Sequence, residues 1–326
     1  MKNQQKKMIF EKFLTLGLVA ALLCSLLAGC GDSTGSGGNR YSGNNAASVG
    51  GQQDETTYDP NAITGIAGAE IDFRLANGVL TLSGKGAMND YERDYDNTVN
   101  TPWFKERERI KKIVIEPGIT HIGACAFYHC FNATSIEIPD TVMDIGELAF
   151  YQSGLQSVTI PNSVTRIGDH AFNSCNGLTS ITIPNSVTSL GVGVFVSCSG
   201  LTSITIPRSI TSLDDLLFSD CTALGSITIP DSVTSIGEST FKYCTGLSSV
   251  TIPKSVTRIG NYAFDGCSGL QKVTIDKGVT SIGNRAFFDC DSLDEAVYLG
   301  TEERWNRVSV GVDNDDLLAV LQFSPQ

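Results

Sequence analysis

Between Ile110 and Leu293 one segment recurs eight times, as in LTSITIPNSVTSLGVGVFVSC (Leu178 to Cys198) and LSSVTIPKSVTRIGNYAFDGC (Leu247 to Cys267). Phenylalanines mark the period at 127, 150, 172, 195, 218, 241, 264 and 287, which are 22 or 23 residues apart, and prolines keep step at 117, 139, 161, 184, 207, 230 and 253. A unit this short cannot bury its apolar face alone. Copies must stack, so the sequence predicts a solenoid.

Each slot of the unit has a physical reason. In Ser180-Ile181-Thr182-Ile183 the side chains alternate, so the isoleucines point inward and the polar residues outward, and one such strand per copy builds a parallel wall. Pro184 has no N–H to donate and ends the strand. Val187 and Leu190 are expected to bury a second short extended segment on the opposite wall. The glycines that follow, at 123, 146, 168, 191, 237, 260 and 283, are expected to turn the chain through a positive φ into a short helical piece, and only Asp214 breaks their row. The closing Ala-Phe-x-x-Cys predicts a spine of stacked rings.

The period lies in the leucine-rich-repeat range of about 20–29 residues, and Leu178, Ile181 and Ile183 fit the Leu-x-x-Ile-x-Ile strand signature. The whole unit, LxSxTIPxSVTxIGxxAFxxC, resembles the BspA-like leucine-rich repeat family of bacterial cell-surface proteins over more than half the chain. The resemblance implies a leucine-rich-repeat-type solenoid, mainly β with short helical turns, that acts in adhesion.

Both ends of a stack need closing. Residues 57–109 are expected to form an N-terminal cap: Ile71, Phe73 and Leu75 alternate and then turn at Asn77-Gly78, a hairpin signal, while Trp103 and Phe104 are expected under the first coil. Residues 294–326 drop the period and are expected to form a C-terminal cap, with Thr301 capping a short helix and Trp305 plugging the last coil. The GTEERW segment resembles the closing module of the same family.

Lys2, Lys6, Lys7 and Lys12 precede an apolar run from Phe13 to Ala28, too short for the roughly 30 Å of a bilayer core. Leu27-Ala28-Gly29-Cys30 resembles a bacterial lipobox, which implies a signal peptide over residues 1–29 and a diacylglyceryl group on Cys30. Residues 30–56, rich in Gly, Ser and Asn, are expected to be a flexible tether. Removing residues 1–29 takes away four lysines and one glutamate, leaving 19 basic and 34 acidic residues and a net charge of -15. Such a surface repels nucleic acids and anionic headgroups, so membrane attachment is expected through the N-terminal lipid only.

Little in the chain points to reaction chemistry. Cysteines 130, 175, 198, 221, 244, 267 and 290 share one slot, with Ser153 in the missing place. Secretion permits disulfides, yet parallel Cβ vectors fit them poorly and a line of thiols cannot wrap a tetrahedral metal, so a buried ladder of free thiols is expected. His121 and His170 read as solvated side chains, and the strings Asp94-Tyr95-Asp96-Asn97 and Asp313-Asn314-Asp315-Asp316 as solvated loops, since neither matches a calcium loop. Asp214 and Asp215 are paired, but adjacent side chains point apart. No catalytic residue, metal or cofactor is expected.

Internal copies show which slots packing fixes. The exposed strand slot is uniform at Thr159, Thr182, Thr205, Thr228, Thr251 and Thr274, whereas variation gathers beside the phenylalanines at Tyr128, His129, Tyr151, His170, Tyr243, Tyr262, Arg285 and Phe288. Aromatics and arginine dominate interface energetics, so this row is the candidate partner-binding surface. The expected function is a monomeric, lipid-anchored adhesion or protein–protein interaction module that meets host or neighbouring-cell surface proteins. The alternatives are a glycan-binding lipoprotein using the threonine face and a passive structural spacer.

Overall fold

The computed structural model describes residues 59–324; Cys30, the expected signal peptide and the whole of the expected tether lie outside the described residues. The chain winds as a β-solenoid. One wall is built from strands such as Ser157–Thr159, Ser180–Thr182 and Ser203–Thr205, paired in parallel with Val158, Ile181 and Ile204 in register. The opposite wall is built from two-residue strands such as Asp144–Ile145, Arg166–Ile167 and Ser189–Leu190. Ile181, Ile183, Val187 and Leu190 are buried between the walls, and Ser180 and Thr182 are exposed.

The proline marks where each first-wall strand stops. Val187 N donates to Pro184 O at 3.1 Å, so the proline opens a tight turn, and where Asp276 replaces proline the strand runs on for five residues, Lys272–Asp276.

Along the third edge the eight phenylalanine rings, all fully buried, stack with centroids 5.0–5.9 Å apart and planes 3–17° from parallel. Burial of each contributes about 1.5–3 kcal/mol. Beside the rings the cysteine ladder is free and buried. The thiols are more than small hydrophobes. Those of Cys175, Cys198, Cys221, Cys244, Cys267 and Cys290 donate to the phenylalanine carbonyl of the preceding coil at 3.0–3.3 Å. Burial pushes the thiols of Cys130 and Cys175 up to about 12, which keeps Cys175 protonated as a donor.

Two expectations about the turn are corrected. The segment around each phenylalanine is a chain of tight turns and not a helix. Cys125, Phe127 and His129 donate to Glu147, Ala149 and Tyr151 of the next coil at 2.9, 2.7 and 2.8 Å, while Ala126, Tyr128 and Cys130 each donate three residues back at 3.2 Å. Left-handed residues stand two before and two after every ring, as with Arg285 (φ 54) and Asp289 (φ 54) around Phe287. The glycine column does not supply this conformation, for none of its members has positive φ. Glycine is needed there because coils touch: a Cβ on Gly283 would sit 2.4 Å from Asn261 N, and one on Gly146 2.5 Å from Ala124 N.

The caps prolong both walls. At the N-terminal end Ile71–Ala76 and Val79–Gly84 form the expected hairpin through Asn77 (φ 51) and Gly78 (φ 79), and a third antiparallel strand, Ile63–Gly68, joins them. Val79–Gly84 then pairs in parallel with Lys112–Ile115. Trp103 is buried, stacks on Phe127 at 6.0 Å and donates from Nε1 to Ala126 O at 2.9 Å; Phe104 is half-buried under Arg107. At the other end Thr301 caps the short helix Glu302–Trp305, and Trp305 packs edge-on to Tyr298 at 5.1 Å.

The string Asp313 to Asp316 is not a solvated loop. Asn314 is buried and accepts from Phe287 N at 3.1 Å, and Asp316 accepts from Cys290 N at 3.2 Å, so the last coil donates to side chains where earlier coils donate to a further coil.

On the first wall, hydroxyls of Thr179, Thr202 and Ser248 brace the preceding coil through its carbonyls at 3.2–3.3 Å, but Gly225 occupies the same slot without one. A Cβ on Gly225 would meet nothing within 4 Å and its φ is not positive. Gly225→Thr is expected to stabilise the chain by about 1 kcal/mol, through a stiffer unfolded state and a new bond to Thr202 O, read as a higher midpoint in denaturant unfolding.

Candidate interaction surface

Along the phenylalanine edge the residues beside each ring differ from coil to coil. The expected partner-binding residues all lie on this edge, but they separate into groups. Tyr128, His129 and Tyr151 form one cluster: the Tyr128 ring stacks 4.8 Å from Tyr151 and 4.0 Å from His129, and His129 lies 5.0 Å from Phe131. Arg93 reaches from the N-terminal cap to within 3.4 Å of the Tyr128 hydroxyl.

Within this cluster Tyr128 is 3% exposed, so it supports its neighbours and offers no surface of its own. Phe131, which is 46% exposed, is the free face. Burial pushes the Tyr128 phenol up to about 12. Burial, and then the positive charges of Arg107 and Arg93, push the His129 imidazole down to about 4.

A second cluster lies on later coils. Lys242 Nζ sits 4.9 Å from the ring centroids of both Tyr243 and Tyr262 and pairs with the buried Asp265 carboxylate at 2.7 Å. Burial works against the lysine's charge, yet the Asp265 bond outweighs it and leaves the pKa raised. Tyr243 is 43% exposed and lies on Gly266, where a Cβ would come within 2.3 Å of its ring. One coil further, the Arg285 guanidinium covers the Phe288 ring at 3.9 Å and faces Asp313 at 3.6 Å. Between the clusters the corresponding slots hold Val196, Ser197, Ser219 and Asp220.

His170 belongs to neither cluster. It is half-buried over Gly193, within 3.3 Å of Asn173 Nδ2, and burial lowers its pKa, so it is not a solvated side chain. Nor is His121: it bridges Asp90, 3.1 Å from Nε2, and Asp144, at Nδ1, tying the cap to the first two coils. The Ala124 amide, and then His121, hold the Asp90 carboxyl below its ordinary range. Asp96 accepts from both the amide and the hydroxyl of Thr98, which closes the acidic loop of the N-terminal cap on itself. Among the described residues no group of three or more His, Cys, Asp or Glu is placed to hold a metal ion.

Three participants are missing from the expected set, two of them neither aromatic nor arginine. Phe131 fills a slot that is Asn176, Ser199, Thr222, Thr245 or Ser268 in other coils, and that contrast is its signal. Lys242 and Asp265 occupy the same slot in successive coils, so their opposite charges 23 residues apart announce the pair.

A family model described as BspA type leucine rich repeat region matches residues 97–225 and 217–301, in six copies. Among solved structures the chain is similar to a leucine-rich repeat protein from Bacteroides ovatus, with 25% identity and a TM-score of 0.53 over 78% of this chain and 76% of that one. It is also similar to a leucine-rich repeat protein from Eubacterium ventriosum, with 27% identity and a TM-score of 0.45 over 73% of this chain and 85% of that one. A leucine rich cell surface protein from Faecalibacterium prausnitzii aligns at 23% identity and a TM-score of 0.31, over 78% of this chain and 99% of that one. No curated protein matches the chain.

The half-buried His129 makes stability depend on pH. Its folded pKa lies below the ordinary histidine value, so its contribution is complete above about pH 6.5, declines as the unfolded chain takes up the proton, and is lost by about pH 4. His129→Asn, which tolerates the left-handed backbone, is expected to flatten the fall in melting temperature between those values relative to wild type.

Proposed function

The chain belongs to the BspA-type leucine-rich-repeat family, and from that premise we propose that it is a lipid-anchored adhesion module of the bacterial cell surface, binding proteins on host or neighbouring cells. Proteins of this family are generally found at the cell surface, and the solenoid is a fold that usually presents surface and carries no catalysis. The observation that carries the reading is the contrast along the phenylalanine edge. On a solenoid whose coils otherwise copy one another, exposed and half-buried aromatic and cationic side chains gather in two places, around Phe131 and Tyr151 and around Tyr243, Tyr262 and Phe288. Aromatic rings held rigid by cations and by stacking supply contact area at little cost in conformational entropy.

Anchoring is assigned to Cys30. No helix among the described residues is long and apolar enough to cross a membrane, and the net acidic charge disfavours binding to anionic headgroups. A single lipid chain holds a protein only marginally, whereas the diacylglyceryl group that a lipobox implies supplies two.

Cells displaying the full chain are expected to adhere to immobilised host-cell surface protein, and the combined Phe131→Ser, Tyr151→Ser, Tyr243→Ser variant to lose about tenfold or more of that adhesion at equal surface abundance. Equal adhesion by the variant, or capture by a neutral glycan array with no protein binding, would count against the reading. Cys30→Ala should abolish metabolic labelling with radioactive palmitate and move the chain from the membrane fraction to the medium.

A further inference from the structure

Asp214 stands alone in the glycine column, and the wall beside it is open. Elsewhere each second-wall strand is tied to the one before it by two backbone bonds. Thr188 N donates to Thr165 O at 3.0 Å and Gly191 N to Ile167 O at 2.9 Å; Thr234 N donates to Thr211 O and Gly237 N to Leu213 O, both at 2.8 Å. Between Ser189–Leu190 and Ser212–Leu213 both counterparts are missing, and the amides of Thr211 and Asp214 have no protein partner among the described residues. One five-stranded sheet ends at the first of these strands and another begins at the second.

The cause is steric. In this column a Cβ points into the backbone of the preceding coil, as the 2.5 Å approach from Gly191 to Asp169 N shows, so a side chain at 214 is seated only by separating the two coils. The Asp214 carboxylate folds back to accept from Ser212 Oγ at 2.8 Å. A groove of about 380 Å³ runs from here over the next two coils, lined by Val192, Leu213, Asp214, Asp215, Glu238 and Arg258. The first wall stays paired at this interface, Ser180–Thr182 with Ser203–Thr205 in register, and thins only one coil later, where Thr228 makes an isolated bridge to Thr205.

The third edge stays fastened. Gly193, Phe195 and Ser197 donate to Asp215, Leu217 and Ser219 at 3.0, 3.1 and 2.8 Å, Phe195 stacks on Phe218 at 5.7 Å, and the Cys221 thiol reaches Phe195 O at 3.1 Å. Two sides bonded and the second wall unbonded is the geometry of a hinge. We propose that the solenoid carries a joint between its fourth and fifth coils, pivoting on the bonded first wall and phenylalanine edge and created by Asp214. Four coils on either side move as rigid stacks, tilting as the second wall gapes and closes. The joint is a property of the fold and stands whether or not the aromatic clusters bind a partner.

Hydrogen exchange on the full chain tests it. The amides of Thr211 and Asp214 are expected to exchange roughly tenfold or more faster than those of Thr188 and Gly191 or of Thr234 and Gly237, with Asp214→Gly restoring protection. Gly237→Asp should transplant the defect, exposing Thr234 and residue 237. To separate motion from mere lack of a bond, spin labels at Arg166→Cys and Arg258→Cys, both exposed and on either side of the joint, report the distance distribution across it. It should be broad in the wild-type background and narrow with Asp214→Gly. Slow exchange at 211 and 214, or a width that Asp214→Gly leaves unchanged, would overturn the proposal.

Discussion

Every coil has to lie within backbone hydrogen-bonding reach of the next along its whole circuit, and the rest of the structure answers to that demand. On the two walls, extended strands meet it with ordinary parallel ladders. At the phenylalanine edge the chain must reverse direction, and it does so by sending alternate amides to the following coil and the others back into its own turns. That alternation needs left-handed residues on both sides of each ring, most of them not glycine, at about 1–2 kcal/mol apiece. The stacked rings and the buried thiols offset the strain, because both depend on the same spacing between coils.

The backbone amides around the rings donate one way, from each coil to its successor, which gives the stack a direction and two unlike ends. The first coil has carbonyls to satisfy, and the N-terminal cap brings donors: Trp103 to Ala126 and the Tyr91 amide to Ala124. The last coil has amides to satisfy, and the C-terminal cap brings acceptors in Val312, Asn314 and Asp316. A run of acidic residues that reads as a loop is in this sense a substitute for the next coil.

The spine, the proline stops, the two walls and the hairpin were readable because each repeats, or closes a repeat, with residues whose physics allows few alternatives. The glycine column shows where such reading stops. An invariant glycine fits either a positive φ or a close approach, and internal copies cannot distinguish them because both exclude the same side chains. The left-handed positions were invisible for the opposite reason: Cys125, Leu148, His170 and Arg285 share a backbone conformation and no side-chain chemistry. His121, Lys242 and Asp265 take their partners from a neighbouring coil, about 23 residues away, where a reading along the chain does not look. Tyr128 was placed on the correct edge, but its burial depends on Arg93 and the cap, which belong to no repeat.

The thiol ladder bears on how such a molecule changes over generations. A protein stapled by disulfides cannot lose a segment without stranding half of a covalent bond. Here each sulfur answers only to a carbonyl one coil away, and a serine already stands in for it once, at position 153. Recombination that inserts or removes one whole coil in phase therefore leaves no orphaned sulfur, and the number of coils is a quantity that duplication can adjust.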